Sequence, residues 1–244
     1  LPVWGLGTPG GFLEFVAAQV GAEVDDVAGH DLVVYDLTPP AALGAAGELF
    51  AAGRLDNLVS VHAGLSALLE ARESATVPVL VAFDHEEVGS ASATGAAGPL
   101  LENVLTRLAG GFDARAEVFA ASRALSCDVT HAAHPNYLGH HDPAHRAVPN
   151  GGPALKVNAN QRYATDAPGA AAWARACRDA GVPSQVFVSR NTAPCGSTVG
   201  PIIATRLGIR TVDVGIPVLS MHSARELCGA ADPRYGDTGI DRRA

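Results

Sequence analysis

The sequence predicts an α/β fold with a mostly parallel, mixed sheet covered by helices on both faces. Apolar segments of strand length alternate along the chain with segments whose apolar residues have helical spacing. The strand-like segments are nearly continuous in apolar character, which is typical of strands buried on both faces of a parallel sheet. With 244 residues, the chain is long enough for one large domain with a substantial core.

The first half of the chain begins this alternation. HDLVVYDL (30–37) has the composition of a strand, and VPVLVAF (77–83) is a continuous apolar run that predicts a buried one. Between them, residues 55–72 carry apolar side chains at positions 55, 58, 61, 65, 68 and 69, which is helical spacing. Residues 97–109 predict a second helix, and ALSCDVTH (124–131) predicts a third strand.

The second half continues the alternation after a loop rich in His, Pro and Gly at 131–153. The remaining predicted elements are the strands 154–158, 184–190 and 209–219, the helices 168–180 and 197–208, and a helical turn or two at 223–230. Gly208 closes the second of these helices as a C-cap. In a sheet of this kind the working residues lie at the carboxyl ends of strands, so a site is expected there.

Composition and charge exclude several classes of function. A net charge of −8 argues against a nucleic-acid surface, which needs clustered Lys and Arg. The sequence contains no run of about 18 apolar residues that could span a bilayer, and no signal peptide with a basic start and an apolar core. The four cysteines are widely separated without a CxxC pair, which predicts reduced thiols in a cytoplasmic protein rather than disulfides or a zinc–cysteine site.

The segment FDHEEVGS poses an electrostatic problem. The apolar run that ends at Phe83 is followed at once by Asp84, His85, Glu86 and Glu87. Three of these four side chains are negative at neutral pH, and neighbouring like charges repel. A divalent cation would hold the carboxylates ionised by attraction of opposite charge, which offsets both repulsion and desolvation. The segment therefore predicts a metal site at the end of this strand.

Further ionisable residues lie just past an apolar strand or at the start of a helix: Asp56 in GRLDN, Asp128 in SCDVTH and His222 in LSMHSARE. Each has a simpler interpretation. Asp56 could cap the helix that follows it, Asp128 could be a turn residue, and His222 could be a hydrogen-bonding group. Glu86 and Glu87 could likewise form a solvated strand end. Taken together, carboxylates and histidine without cysteine suit zinc, cobalt or manganese.

Several longer stretches resemble the aspartyl aminopeptidase family of metallopeptidases. They are GRLDN, FDHEEVGSASATGA, SCDVTHAAHPNY, LKVNANQRYATD and RNTAPCGSTVGPIIATRLGIRTVDVGIPVLSMHSARE. The resemblance runs in order from about residue 30 to about residue 229. It implies an α/β catalytic domain with two divalent metal ions that share one bridging carboxylate, and zinc is the first candidate for both ions.

The resemblance also implies a role for each candidate residue. Asp56 matches the bridging ligand, and Glu87 and His222 match the other ligands of one ion. Asp128 matches a ligand of the second ion, and Glu86 matches the general base. The implied reaction is attack of a metal-held water on the peptide carbonyl. Glu86 takes the proton from this water and passes it to the leaving amine.

Two further matches concern the substrate. Lys156 and Tyr163 resemble the family's contacts to the acidic side chain of the N-terminal residue. A fixed ammonium would favour Asp or Glu at that position, although Lys156 could also be an ordinary lysine at a strand end. The resemblance thus implies peptides with an acidic N-terminal residue as substrates, and a homo-oligomer as the assembly.

The sequence departs from the family at both ends. Residues 1–12 resemble the end of an inserted dimerisation domain, residues 13–230 the catalytic domain without its opening segment, and residues 231–244 an atypical, loose tail. The family's GxHxDSP-like motif, which supplies a histidine to the second ion, does not occur in this sequence. The second ion therefore has Asp56 and Asp128 but no matched histidine.

Two functions follow from these matches. The first is an aminopeptidase that uses two divalent metal ions to remove N-terminal Asp or Glu from peptides, with zinc as the first candidate metal. The second is a non-catalytic homologue that acts as a binding or assembly subunit, which the missing motif and the altered tail favour. A nucleotide-binding module is disfavoured, because GLGTPGG (5–11) and GSASATGAAG (89–98) lack the glycine pattern and placement that phosphate binding needs.

Overall fold

A computed structural model describes residues 11–235. The chain divides into two compact units, residues 1–37 and residues 38–244. The helices with described bounds are α1 Phe12–Val20, α2 Leu55–Glu70, α3 Leu100–Leu108, α4 Phe112–Ala121, α5 Ala167–Ala180 and α6 Val199–Leu207. The strands are β1 Ala41–Leu43, β2 Leu49–Ala52, β3 Arg123–Cys127, β4 Thr130–His131, β5 Ala154–Val157, β6 Gln185–Val188, β7 Arg210–Gly215, β8 Pro217–Leu219 and β9 Glu226–Gly229.

The first unit contains α1 and a 3-10 turn at Val24–Asp26. Helix α1 ends at Gly21, whose φ of 70° is the left-handed conformation of a helix C-cap. The predicted strand at 30–37 is wrong, because these residues pair with no strand in the described part of the chain. Val33 and Val34 are 87% and 76% exposed. A strand needs a hydrogen-bonded neighbour, and apolar composition alone does not supply one.

The second unit contains two mixed sheets flanked by helices, which confirms the predicted α/β class. One sheet has the strand order β1-β2-β9-β8-β4, in which β8–β4 is parallel and the other pairs are antiparallel. The other has the order β3-β7-β5-β6, in which β3–β7 and β5–β6 are parallel and β7–β5 is antiparallel. The sequence predicts one sheet, whereas residues 11–235 form two.

Two predicted strands are divided between these sheets. The segment 209–219 forms β7 and then β8, and the segment 124–131 forms β3 and then β4. Backbone hydrogen bonds continue across the division, since the N–H of Asp128 donates to the Val214 carbonyl at 3.0 Å. Only glycine fits at Gly215, because a Cβ there would lie 1.9 Å from the carbonyl oxygen of Asp128. This close approach places Asp128 where the two sheets meet.

Apolar clusters hold the helices on the sheets. Leu55 and Val59 of α2 pack against Val218 of β8, and Trp173 of α5 packs near Leu155 of β5. Each such side chain contributes roughly 1.5–3 kcal/mol to the free energy of folding when it is fully buried. The first turn of α2 is therefore fixed against the five-stranded sheet.

Most local predictions are confirmed. The helices predicted at 55–72, 97–109, 168–180 and 197–208 are α2, α3, α5 and α6, and the strands predicted at 154–158 and 184–190 are β5 and β6. Gly208 has the expected left-handed φ of 68° after α6. Helices α1 and α4 and strands β1 and β2 are additional elements that the sequence did not indicate.

Two predictions in the second unit are wrong. The run 77–83 is not a buried strand, because it pairs with no strand among the described residues, and Val77 is 72% exposed. Leu80 nevertheless packs against Gly64 of α2. Residues 223–230, predicted to be helical, include strand β9 instead. Because β9 lies between β2 and β8, hydrogen bonds on both sides outweigh a weak local helical preference.

The described start of the C-terminal segment is anchored. The carboxylate of Asp232 is fully buried and accepts hydrogen bonds from the backbone N–H groups of Asn150 (2.8 Å), Gly152 (3.2 Å) and Gly229 (3.1 Å). Residue 232 belongs to the segment that the sequence predicts to be loose. Residues 236–244 of that segment, and residues 1–10 of the predicted remnant, lie outside the described residues.

Candidate active site

Asp56 lies in the first turn of α2, where the backbone departs from helical geometry. Asp56 has ψ of 109° and Asn57 has φ of −118°. The N–H of Asp56 donates to Glu226 Oε2 at 2.7 Å, and Asn57 Nδ2 donates to the carbonyl of Cys127 at 2.8 Å. These bonds tie the start of α2 to both sheets, and the Asp56 side chain is only 5% exposed. Asp56 is thus not a solvated helix cap.

Glu86 and Glu87 lie in a short 3-10 turn, Glu86–Val88, which Asp84 and His85 separate from the run that ends at Phe83. His85 precedes the turn with a φ of 62°, and its Nδ1 is hydrogen-bonded to Ser92 Oγ at 2.8 Å. The carbonyl of His85 also accepts from the N–H of Ser90 at 2.8 Å. His85 therefore holds the turn that presents the two glutamates.

His222 lies in the turn between β8 and β9 and has a φ of 65°. Its N–H donates to Glu226 Oε1 at 2.7 Å. Glu226 is 2% exposed, and its two carboxylate oxygens hold the backbones of Asp56 and His222 at the same time. Glu226 was not predicted from the sequence as a site residue. Its signal is an acidic residue that begins the otherwise apolar ELCG, directly after the histidine motif.

Asp56, Glu87 and His222 converge. His222 Nε2 lies 3.0 Å from Asp56 Oδ2 and 3.0 Å from Glu87 Oε2, and one ligating atom from each of the three residues lies within 4.8 Å of the other two. They line a cavity of about 440 Å³ together with Arg54, Ser223 and Glu226. These residues come from α2, the 3-10 turn and the β8–β9 turn, so the fold brings together groups that are far apart in sequence.

Without a cation, the surroundings of Asp56 and Glu86 disfavour the ionised form of both carboxyl groups. Burial first, and then the negative charges of Asp128 and Glu87, raise the pKa of Asp56 to about 8. Burial, Asp128 and Glu87 likewise raise the pKa of Glu86 to about 7, although the positive charges of Lys156 and His222 oppose the rise. The protein therefore holds two carboxyl groups that resist ionisation unless a cation is nearby.

The three converging residues fit a zinc ion. Oδ1 of Asp56 is buried and has no hydrogen-bond partner among the described residues. A buried oxygen of this kind costs about 1–3 kcal/mol, which a bound cation would offset. Two carboxylate oxygens and one imidazole nitrogen are ligands that zinc accepts, and Asp56, Glu87 and His222 would hold it.

Asp128 stands apart from this cluster. Its Oδ2 accepts from Lys156 Nζ at 3.0 Å, and the Lys156 side chain is 3% exposed. Lys156 Nζ lies 5.4 Å from the centroid of the Tyr163 ring, which is also buried. The structure thus brings Asp128, Lys156 and Tyr163 into one chain of contacts. The negative charge of Asp128 nevertheless acts on Asp56 and Glu86, because it raises the pKa of both side chains.

A second buried acidic residue supports the loop that carries Tyr163. Asp213 of β7 is fully buried, and its carboxylate accepts from the N–H of Ala164 at 2.6 Å and from Thr198 Oγ1 at 2.5 Å. Thr165 Oγ1 in turn accepts from the N–H of Asp213 at 3.0 Å. Asp213 therefore connects β7, the loop after β5 and the start of α6. Asp213 was not predicted from the sequence as a site residue, although an acidic residue inside the apolar run TVDVG is a visible signal.

Comparison with known proteins identifies the family of this chain. The model of the family described as "Aminopeptidase I zinc metalloprotease (M18)" matches residues 9–238. This match covers nearly the whole sequence, so the chain belongs to the M18 family of zinc metalloproteases, whose members include aminopeptidases.

Individual relatives agree with this assignment. The chain is 53% identical over 243 residues to a probable M18 family aminopeptidase 2 of Streptomyces coelicolor, a match that covers 95% of this chain and 56% of that protein. It is similar to the crystal structure of yeast aminopeptidase 1, with a TM-score of 0.80, 32% identity and coverage of 94% of this chain and 53% of that one.

An M18 aminopeptidase structure from Thermotoga maritima gives a TM-score of 0.84, 26% identity, and coverage of 94% of this chain and 53% of that one. The chain thus spans a little more than half the length of the relatives that it matches.

Proposed function

We propose that this chain carries the catalytic centre of a metal-dependent aminopeptidase that removes acidic residues, Asp or Glu, from the N-termini of peptides. The observation that carries the proposal is the convergence of Asp56, Glu87 and His222, together with the buried Oδ1 of Asp56, which has no hydrogen-bond partner among the described residues. The S. coelicolor relative is named as a probable aminopeptidase, which supports the reaction class. The acidic preference is a finer proposal that depends on Lys156.

Glu86 is the proposed general base. Zinc, when bound, supplies Lewis-acid chemistry that makes water a nucleophile near neutral pH and polarises the peptide carbonyl. Glu86 neighbours the ligand Glu87 in the same turn, and its pKa is raised to about 7 by burial and by Asp128. A carboxylate whose pKa is close to neutrality can accept a proton from water and return it to the leaving amine.

The second metal ion is proposed with Asp56 as the shared ligand and Asp128 as the second ligand. Zinc is the first candidate for both ions, with cobalt or manganese as alternatives that the same donor atoms accept. Asp128 already accepts from Lys156 at 3.0 Å, so binding of a second ion would add to, or replace, this contact. Occupancy of this second position is separate from that of the Asp56–Glu87–His222 position.

Lys156 and Tyr163 are the proposed determinants of acidic specificity. The Lys156 ammonium is buried beside Asp128, and low exposure strengthens its attraction for a second carboxylate. If Asp128 also binds a metal ion, that ion compensates part of its charge and leaves the ammonium for an acidic side chain. Replacement of Lys156 by Met is expected to reduce hydrolysis of aspartyl peptides more than that of alanyl peptides.

Assembly and location are proposals of the same kind. A structure of mApe1 from yeast, 33% identical to this chain, is a dodecamer, which supports a homo-oligomer here. A cytoplasmic location is proposed because the four cysteines form no disulfide among the described residues and two of them are buried. Separately, none of the helices in the described part of the chain is long and apolar enough to cross a membrane.

Hydrolysis by the zinc-loaded chain tests the proposal. The protein is expected to cleave Asp-Ala-Ala faster than Leu-Ala-Ala, and Glu86→Gln is expected to reduce turnover by at least about a hundredfold while zinc remains bound. Glu117→Gln, on the exposed face of α4, is the matched control and should retain full activity. Unchanged turnover in Glu86→Gln would remove Glu86 from the role of base.

A non-catalytic binding or assembly subunit is the second candidate function. The observation that favours it is the Asp128–Lys156 ion pair, which occupies the group proposed to bind the second ion. This candidate predicts zinc at the Asp56–Glu87–His222 position but no hydrolysis of any aspartyl or glutamyl peptide, even with added zinc, cobalt or manganese. Measurable hydrolysis that depends on Glu86 excludes it.

A further inference from the structure

A second cavity, of about 320 Å³, lies beside the buried cluster that contains Tyr163. We call it the arginine cavity. Its polar lining comes from the loops after β5 and β6 and consists of Asn158, Asn160, Arg162, Ser189, Arg190 and Asn191. Cys195 also lines it and packs against the cluster of Tyr163 and Phe187. Cys195 therefore connects the cavity to Tyr163, whose ring centroid lies 5.4 Å from Lys156 Nζ.

Backbone contacts hold both arginines in place. Arg162 donates from Nε and Nη2 to the carbonyl of Cys195, at 3.3 Å and 3.1 Å, and Arg190 donates from Nη1 to the carbonyl of Gly139. A guanidinium has more N–H donors than these contacts use, so each arginine can still bind another acceptor. Because the side chains are already ordered, binding an anion would cost little further conformational entropy.

The Arg162 loop is itself ordered. Asn158 Oδ1 accepts from the N–H of Asn160 at 2.9 Å and from the N–H of Arg162 at 3.4 Å. Asn158 Nδ2 contacts Cys195 Sγ at 3.4 Å, and Ser189 Oγ donates to the same sulfur at 3.1 Å. Side chains from both loops thus contact Cys195, and these contacts fix the shape of the cavity wall.

The charge of the cavity is opposite to that of the protein. The chain has a net charge of −8, yet the described residues that line this cavity include two arginines and no acidic side chain. Arginines lining a concave wall, with no carboxylate to neutralise them, create a local positive potential that favours anions. Arginine also matches the planar geometry of a carboxylate, to which it can donate two parallel hydrogen bonds.

We propose that the arginine cavity binds a carboxylate group of a peptide held at the candidate active site. This inference rests on the proposed function, because that function supplies the peptide. Cys195 connects the cavity to Tyr163, and Lys156 in turn contacts both Tyr163 and Asp128, so one chain of contacts joins the cavity to the candidate active site. The carboxylate is either the side chain of an acidic residue or the C-terminus of a short peptide. These two sources share one chemistry and are separated by experiment.

The test measures peptide binding to the full chain after dialysis against a chelator, so that no hydrolysis occurs. Three peptides are titrated by calorimetry: Asp-Ala-amide, with a side-chain carboxylate only; Ala-Ala, with a C-terminal carboxylate only; and Ala-Ala-amide, with none. At least one carboxylate peptide is expected to bind about tenfold or more tightly than Ala-Ala-amide. Which of the two does so identifies the source of the carboxylate.

Variants assign this preference to the cavity. Arg162→Gln and Arg190→Gln are each expected to reduce it about tenfold, and Asn191→Asp, which adds a negative charge to the wall, to abolish it. Arg175→Gln removes an exposed arginine of α5 and should keep the preference. Thermal unfolding of each variant is compared with that of Arg175→Gln, so that a loss of folding is not read as a loss of binding.

Alkylation of Cys195 gives an independent readout. Because its sulfur lies in the cavity wall, the carboxylate peptide that binds should slow its modification by iodoacetamide, and Arg162→Gln should remove this protection. The proposal is overturned if no peptide binds, if the three peptides bind equally, or if the preference survives in both arginine variants. Zinc-dependent hydrolysis is measured separately, so failure here is distinguishable from failure of the proposed function.

Discussion

Glu226 has a structural role at the candidate site, although its side chain is almost fully buried. Its two carboxylate oxygens accept from the N–H groups of Asp56 and His222, both at 2.7 Å, so one buried side chain fixes two candidate metal ligands. Partners that orient ligands in this way affect metal affinity without touching the metal. The strand β9, which begins at Glu226, thereby links the five-stranded sheet to the site.

Replacing Glu226 by Gln should weaken zinc binding by about 10–100-fold. Glutamine keeps one acceptor oxygen but presents an NH₂ group to the second N–H, so either Asp56 or His222 loses its hydrogen bond. Competition with a chromogenic chelator measures the affinity. Glu117→Gln serves as the control on an exposed surface, and equal affinities in the two variants would show that Glu226 does not position the ligands.

The stability of the metal-free protein should depend on the ionisation of Asp56. Burial and neighbouring carboxylates raise its pKa in the folded chain to about 8, above its value in an unfolded chain. Protonated Asp56 thus stabilises the fold at low pH, and this contribution is lost as the pH rises through about 8.

Thermal unfolding after removal of metal tests this dependence. The midpoint should fall between about pH 5 and about pH 8, and Asp56→Asn, which cannot ionise, should show a smaller fall. Added zinc should restore the midpoint of the wild-type chain at the higher pH. A fall of the same size in Asp56→Asn and in the wild-type chain would mean that Asp56 is not the group responsible.

Among the secondary-structure elements, the helices were predicted best, because their apolar periodicity and caps are local features of the sequence. Helices α2, α3, α5 and α6 follow from apolar periodicity, and Gly208 ends α6 as expected. The strand predictions for 77–83 and 30–37 were wrong. A strand depends on a hydrogen-bonded partner elsewhere in the chain, and composition does not specify that partner. Strand β9 was missed for the converse reason: its neighbours β2 and β8 determine its structure.

The candidate site shows the same division. Asp56, Glu87 and His222 could be proposed from the sequence because each stands at the end of an apolar segment or the start of a helix, and the structure brings them together. Glu226 and Asp213 were missed because they act through hydrogen bonds to distant backbone groups. Such contacts depend on the packing of several elements, and no sequence spacing encodes them.

The loop after β5 should lose its support when Asp213 is removed. Asp213→Ala leaves the N–H of Ala164 and the hydroxyl of Thr198 buried without their acceptor, which costs about 3 kcal/mol or more of unfolding free energy. Urea unfolding measures this loss. Thr198→Ser keeps a hydroxyl at the same position and should cost less than about 1 kcal/mol. A similar small cost for Asp213→Ala would contradict the supporting role.

At the scale of the whole molecule, the two sheets meet where the site is built. Asp128 lies at the division between β3 and β4, while Asp56 and His222 adjoin the five-stranded sheet through Glu226. The chain spans 56% of the length of the S. coelicolor relative. Asp56, Glu87 and His222, the proposed zinc ligands, all belong to this chain.

Zinc content after equilibrium dialysis shows whether Asp56, Glu87 and His222 form a metal site. The wild-type chain is expected to retain zinc, whereas His222→Ala and Glu87→Gln are each expected to lose it while remaining folded by circular dichroism. The control Glu117→Gln should retain zinc as the wild-type chain does. A wild-type chain that binds no zinc, or a His222→Ala variant that retains it with unchanged affinity, would contradict the assignment of Asp56, Glu87 and His222 as the metal site.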